Sequence, residues 1–276
     1  MMGLATVLGI KPLGFFIPYR YAAGVRSSAR QCYPACEELF EGARPNFHAV
    51  IAEIDNHAAA LRAIARAGDS GSGASPTFRQ DWFPRLDAAA AYAMVRRFRP
   101  RRIVEVGSGH STRFLARAVA DAGLESRMTA IDPAPRTAIG ALAIEVVEST
   151  LQEAGRGPFE DLAAGDFLVI DSSHILMPGS DVDIVLNTIL PMAPAGVLVH
   201  FHDIFLPDAY PREWDWRAYN EQNAVAALLL GGDGYEVMFA SHYVATRLVN
   251  LLAATVLAEI EMPKAAFEGS LWLRKR

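Results

Sequence analysis

Arg101-Arg102-Ile103-Val104-Glu105-Val106-Gly107-Ser108-Gly109-His110-Ser111-Thr112 is the stretch on which the fold turns. Ile103 to Val106 is short, apolar and bounded by a glycine turn, the pattern of a buried strand. Ser111 or Thr112 is placed to cap a helix carrying Phe114, Leu115, Ala118 and Val119 at helical spacing. Gly107 and Gly109 let the backbone turn tightly and approach a ligand closely. Strand, glycine turn and helix together form the unit with which open α/β sheets hold nucleotide-like cofactors.

Downstream, further apolar runs alternate with helical patterns. Met128 to Ile131 ends in Asp132, Ile144 to Val147 follows, and Phe167 to Ile170 ends in Asp171. A helix is expected from about Asp183 to Leu190. Val197 to Asp203 starts with a continuous apolar run, as a strand covered on both faces does. A helix over Glu221–Leu230, a strand over Tyr235–Ala240, helical residues from Ala245 to Ile260 and a last strand over Ser270–Arg274 complete the set. The alternation predicts an α/β fold: a doubly wound, Rossmann-like, seven-stranded and mostly parallel sheet with helices on both faces.

Upstream, Pro34 to Ala67 reads as helix, and Gly68-Asp69-Ser70-Gly71-Ser72-Gly73-Ala74-Ser75-Pro76 reads as a linker. The expected organisation is therefore an N-terminal helical or lid segment with its linker over residues 1–76, and a cofactor-binding domain over residues 77–276. Phe15, Phe16, Tyr19 and Tyr21 suggest a lid or a clip onto a partner, but packing against the chain's own core is the favoured expectation.

Half of the chain is hydrophobic (51%) and its net charge is only -5. A large core follows from the first value, and the second argues against a nucleic-acid partner. Cys32 and Cys36 have no second pair to complete a zinc site, and a reducing cytoplasm is the default for such usage. Leu248 to Ile260, the longest later apolar run, is too short to span a bilayer. The expected setting is cytoplasmic, with a small-molecule acceptor, no nucleic acid and no membrane; a homo-oligomer stays open.

Two cofactors compete for the glycine turn. A dinucleotide turn wants a third glycine where this chain has Thr112. S-adenosylmethionine has no pyrophosphate but carries an ammonium, which Glu105 suits directly or through water, and a ribose. Asp132 has two acceptor oxygens for the ribose hydroxyls. Glu105-Val106-Gly107-Ser108-Gly109 with Asp132 resembles the class I S-adenosylmethionine-dependent methyltransferases. Asp166 to Asp171 resembles that family's fourth-strand motif, and Gly196 to Val199 its fifth. His200-Phe201-His202-Asp203 and the wording of the glycine turn are similar to a bacterial subgroup acting on small molecules. The resemblance covers about residues 80–276. It implies that Gly107, Ser108, Gly109, His110 and Ser111 lie against the methionine part of the cofactor. Asp132 would hold the ribose, residues near Thr150 and Leu151 the adenine, and Asp171 the cofactor's edge.

The chemistry is expected at the ends of the fourth and fifth strands. His174 is a candidate base, suited to that role at neutral pH if near its reference pKa. Asp171 and His202 are the other catalytic candidates. Resemblance in layout to the metal-dependent O-methyltransferases implies a second arrangement, a divalent cation such as magnesium held by Asp171, His202 and Asp203. His202 is an unusual ligand for such a cation. If the fifth strand stays regular, His202 and Asp203 face opposite sides, so they converge only if it ends at or before His202. A metal-free His/Asp pair is equally open. Trp214-Asp215-Trp216 and its neighbours are placed to wall an acceptor pocket, with His242-Tyr243 approaching it. The leading expectation is O-methylation of a small-molecule or carbohydrate-like acceptor. Its alternatives are a nicotinamide-dependent oxidoreductase on the same sheet and a non-catalytic module that binds S-adenosylmethionine.

Overall fold

The computed structural model describes residues 2–24, 32–67, 74–135 and 139–276. Most of the expected linker, residues 68–73, lies outside the described residues. All seven expected strands are present: β1 Arg102–Val106, β2 Arg127–Ile131, β3 Glu145–Val147, β4 Phe167–Ile170, β5 Leu198–Phe201, β6 Tyr235–Ala240 and β7 Leu271–Lys275. They form one sheet in the order β3-β2-β1-β4-β5-β7-β6. β1 to β5 pair in parallel, while β7 runs antiparallel to both β5 and β6.

The direction of the chain reverses in strand order between β1 and β4. Such a switch point opens a crevice at the carboxyl ends of the two strands, where ligands of open α/β sheets bind. The central strands are buried on both faces: Ile103, Val104, Phe167, Leu168, Val199 and Phe201 all lie in the core. That double burial is why their sequences read as continuous apolar runs.

The helices, numbered α1 to α12 in chain order, begin with α1 Met2–Val7, α2 Pro34–Gly42, α3 Arg44–Asn56, α4 Ala58–Ala67, α5 Arg85–Phe98 and α6 His110–Asp121. They continue as α7 Leu151–Ala154, α8 Asp181–Ile184, α9 Leu190–Met192, α10 Glu221–Leu230, α11 Ser241–Arg247 and α12 Val249–Ala253. A π-helical turn, Val185–Ile189, joins α8 to α9. Pro191 falls in α9, one residue before the end of the continuous helical run 181–192, rather than just beyond a helix ending at Leu190.

The chain divides into two units, Met1–Gln31 and Cys32–Arg276. The expected division after residue 76 is therefore not where the structure divides. The reason lies in α2 and α3, whose apolar faces need the sheet's own residues for cover. Phe47 packs edge-on to Phe239 of β6 at 6.0 Å and Phe40 to Tyr243 of α11 at 5.7 Å. Asn46 adds a hydrogen bond to the Val237 carbonyl at 2.9 Å.

Candidate active site

The glycine turn follows β1 and leads directly into α6. Gly107 adopts φ +91°, and a Cβ there would stand 1.9 Å from the Asp171 carbonyl oxygen at the end of β4. Only glycine lets these two strand ends close up. At Gly109 the opposite holds: an added Cβ would meet nothing within 4 Å, so this backbone faces open space.

Glu105 turns inward. Its carboxylate accepts the Ser111 hydroxyl at 2.5 Å and the Thr112 hydroxyl at 2.6 Å, and it is buried. The Thr112 hydroxyl in turn accepts the Gly109 N–H at 2.8 Å. Thr112, read from the sequence as the missing third glycine, is thus a strut of the turn. Burial raises the Glu105 pKa to about 7, although both hydroxyls act against the rise. Any contact of Glu105 with a ligand would pass through this hydroxyl pair.

At the end of β2, Asp132 accepts the Ser108 hydroxyl at 2.7 Å and the Ala134 N–H at 2.8 Å. Each oxygen keeps a further lone pair for a ligand. Thr150 caps α7, its hydroxyl accepting the Glu153 N–H, and Leu151 begins that helix as a buried residue. His110 begins α6. The turn, Asp132, Leu151 and Asp171 therefore follow the ends of β1, β2, β3 and β4, all at the same edge of the sheet.

A second cluster stands at the ends of β4 and β5. The regular strand stops at Phe201, and Asp203 takes the left-handed conformation at φ 56°. The turn brings His202 Nδ1 to 3.4 Å from Asp203 Oδ1 and 3.5 Å from Asp171 Oδ1. His174, also left-handed at φ 59°, places Nε2 3.5 Å from Asp171 and 3.3 Å from Asp203. Asp171, His174, His202 and Asp203 are thus brought together as the sequence suggested. Asp171 is the open member, with its side chain 30% exposed against 4% for His174.

Two carboxylates that sequence reasoning missed complete the cluster. Glu221, the first residue of α10, accepts from His174 Nδ1 at 2.8 Å and is fully buried. Its other oxygen has no hydrogen-bond partner among the described residues. The His174 carbonyl accepts the N–H groups of Asn220 and Glu221, so ring and backbone are both tied to the start of α10. Asp87, in the first turn of α5, faces His202 Nε2 at 3.3 Å. It also accepts the N–H groups of Gly269 and Ser270 at 2.9 Å each. His200, expected to be structural, is buried against Ser270 and Trp272.

These groups set one another's charge. Burial alone would keep both imidazoles neutral, but Asp171, Asp203 and Glu221 around His174 raise its pKa well above the usual value. Asp203, Asp171 and Asp87 do the same to His202. In return, burial of Asp171 is outweighed by His202 and His174, and its carboxyl is held well below the usual range. Asp203 and Glu221 are pushed up, chiefly by burial. The expectation of a His174 near its reference pKa is therefore corrected: three carboxylates hold the proton on it.

The same charges bear on the metal arrangement. Both nitrogens of His202 face carboxylates, Nε2 facing Asp87 and Nδ1 facing Asp171 and Asp203. Among the described residues no group of three His, Cys, Asp or Glu side chains presents a metal-holding geometry. A divalent cation held by Asp171, His202 and Asp203 therefore finds no support among the described residues.

The aromatic loop lies where the sequence placed it. The Tyr219 ring packs on His174 at 4.7 Å, Trp214 and Tyr210 pack on Tyr219, and Phe205 packs on both of these. His242 and Tyr243 do not both approach it. His242 bonds Asp208 at 2.8 Å and packs on Phe205, whereas the Tyr243 hydroxyl reaches Glu41 at 2.6 Å. Tyr243 fills the gap between α2 and the sheet, which is why it turns away. A cavity of 540 Å³ is lined by residues such as Phe78, Arg79, Asp81 and Lys264 and shares none with this cluster. Chemistry rather than cavity size locates the site.

Asp87→Ala is expected to destabilise the protein by about 3–5 kcal/mol, because it takes the carboxylate from His202 Nε2 and leaves two buried backbone N–H groups unpaired. Urea unfolding checks this, and a midpoint equal to the parent's would contradict it.

A family model described as a methyltransferase domain matches residues 104–204, from β1 to just beyond β5. No curated protein matches the chain. The chain is similar to a Podospora anserina methyltransferase bound to S-adenosylhomocysteine, at 15% identity over 95% of this chain and 99% of that one, with a TM-score of 0.44. It is also similar to a plantazolicin methyltransferase solved with a triazolic desmethylPZN analog and S-adenosylhomocysteine, at 12% identity over 87% and 99%, with a TM-score of 0.45. A third, a methyltransferase from Archaeoglobus fulgidus, is 13% identical over 68% and 94%, with a TM-score of 0.36. A methyltransferase-domain model thus matches the segment from β1 to just beyond β5, which forms the parallel part of the seven-stranded sheet.

Proposed function

We propose that the protein transfers a methyl group from S-adenosylmethionine to an oxygen of a small hydroxylated acceptor, with His174 taking the acceptor's proton. The observation that carries this reading is one juxtaposition. The turn Gly107–Gly109 packs on Asp171, and Asp171 lies 3.5 Å from His174.

The residues present suit the cofactor. Open space beside Gly109 receives the methionine part, and the free lone pairs of Asp132 receive the ribose hydroxyls. Leu151 offers an apolar surface to the adenine. When bound, the cofactor supplies a methyl group on a sulfonium that is already a good leaving group. The protein's work is then alignment and proton removal. Asp171, the exposed acid, accepts a hydrogen bond from the acceptor hydroxyl and orients it. In the fraction of molecules whose ring has lost its Nε2 proton, His174 Nε2 takes the acceptor's proton as the oxygen–carbon bond forms. Glu221, bonded to Nδ1, holds the ring in place. The Tyr219 and Trp214 rings provide a rigid apolar wall, which favours an acceptor with a flat or sugar-like face.

Asp132→Ala is expected to weaken S-adenosylmethionine binding about 10- to 100-fold, the worth of charge-assisted hydrogen bonds, while leaving the fold intact. Calorimetry reads this directly. Heat with NAD and none with S-adenosylmethionine would overturn the cofactor assignment. Transfer of a labelled methyl group to a panel of phenols, sugars and amines tests the acceptor atom, and labelling of amines alone would remove the claim for oxygen.

A further inference from the structure

The unit Met1–Gln31 presents apolar side chains to solvent on a scale that a soluble surface does not need. Leu4, Val7, Leu8, Ile10, Leu13, Phe15, Phe16, Ile17, Tyr19 and Tyr21 are all exposed, with Phe15 at 64% and Phe16 at 68%. Scattered exposed apolar residues are ordinary, but a contiguous run of this size marks an interaction surface.

Charge identifies what the surface fits. Within the described part of the unit Lys11 and Arg20 are the charged side chains, and no acid precedes Glu37 in the sequence. The whole chain is nevertheless negative, at -5. A segment that is cationic, acid-free and aromatic on an otherwise acidic protein is complementary to an anionic surface with an apolar interior. Phenylalanine supplies apolar area, tyrosine combines a ring with a hydroxyl for the headgroup level, and lysine and arginine reach the lipid phosphates. Arg20 lies 5.7 Å over the Tyr21 ring, which keeps cation and aromatic side by side.

The segment is too short and too broken to span. Its helix α1 has 6 residues, against roughly 20 needed to cross a bilayer. A hydrogen bond from the Leu13 N–H to the Thr6 hydroxyl folds the chain back after α1. A short helix with the chain folded back on it leaves the interface, rather than the bilayer core, as the level it can occupy.

We infer that residues 2–24 form a peripheral anchor that docks the protein on an anionic lipid surface, with Phe15 and Phe16 inserted and Lys11 and Arg20 on the headgroups. This goes beyond the methyl-transfer reading, does not depend on it, and reverses the expectation of no membrane partner. The catalytic unit would then work beside a membrane, on acceptors held in or delivered to it.

The test is co-sedimentation of the full chain with phosphatidylcholine vesicles and with mixed phosphatidylcholine–phosphatidylserine vesicles, at low and high salt. Binding is expected on the mixed vesicles and is expected to weaken with salt. Phe15→Ser with Phe16→Ser should reduce partitioning roughly a hundred-fold, from the apolar area withdrawn. Lys11→Gln with Arg20→Gln should reduce it about twenty-fold on anionic vesicles and little on neutral ones. All these side chains are exposed, so the unfolding midpoint should match the parent's. Absence of binding to mixed vesicles, or binding unaffected by both pairs of substitutions, overturns the anchor. Sedimentation velocity supplies the other arm: a dimer abolished by the phenylalanine pair, without vesicle binding, assigns the surface to a second copy instead.

Discussion

Gly107→Ala should destabilise the protein by about 2–5 kcal/mol and remove cofactor binding with it. Two costs combine at this residue. Its φ of +91° is one that a side-chained residue adopts only with strain, and the new Cβ would fall 1.9 Å from the Asp171 carbonyl oxygen. Neither neighbour can retreat. The Gly107 N–H is bonded to the Ile131 carbonyl at 2.8 Å, and the Asp171 N–H to the Val106 carbonyl at 2.9 Å. The collision therefore sits between three central strands and must be relieved by parting β1 from β4, at the place where the cofactor would lie. Gly109→Ala makes the matched control. Its Cβ meets nothing within 4 Å, so stability should stay within about 0.5 kcal/mol of the parent while S-adenosylmethionine affinity falls. Denaturant midpoints and calorimetry on the two variants separate the roles. A Gly107→Ala protein with parental midpoint and affinity would show that the strand ends are not packed as described.

The strands and the turn were legible because their determinants are local. Double-sided burial writes itself as runs such as Phe167-Leu168-Val169-Ile170, and a tight turn demands glycine where β1 ends. The helix Glu221–Leu230 was legible in full for the same reason. What was not legible depends on distant parts of the chain. Glu221 and Asp87 each lie in the first turn of a helix, and an acid there is ordinarily explained by the helix dipole. Only folding reveals that one lies against a histidine 47 positions earlier and the other against a histidine 115 positions later. The end of β5 was undecidable in the same way, since nothing local in His200-Phe201-His202-Asp203 stops the strand. It stops because β7 accepts it only as far as Phe201, opposite Leu271, after which the Ile204 N–H bonds to the Gly269 carbonyl. The pKa of His174 was misjudged because it is a property of three carboxylates arriving from three separate segments.

His174→Ala should lower kcat about 10²- to 10⁴-fold, the usual range for a general base, with a much smaller change in the affinity for S-adenosylmethionine. Its dependence on pH gives the sharper result. Asp171, Asp203 and Glu221 keep the His174 pKa well above 6.5, so the ring holds its proton at neutral pH, and the base role proposed for it requires a higher pH. Activity should accordingly climb on the alkaline side of 6.5. Removing one carboxylate weakens the grip on that proton, and Glu221→Gln keeps a hydrogen bond to Nδ1 while deleting the charge. The variant's rising limb should move to lower pH even as its plateau falls, a split that loss of packing alone would not produce. Stability follows the same proton. A group whose folded pKa is raised contributes stability that is complete below its unfolded pKa, near 6.5, and that is lost as pH rises through the folded value. The parent's unfolding free energy should therefore decline over the pH range in which its activity increases, and Glu221→Gln should shift both curves together. Profiles of kcat and of urea midpoint on the two proteins measure this directly. If the activity limb stays fixed when Glu221 is neutralised, the proton that limits methyl transfer is not the one on His174.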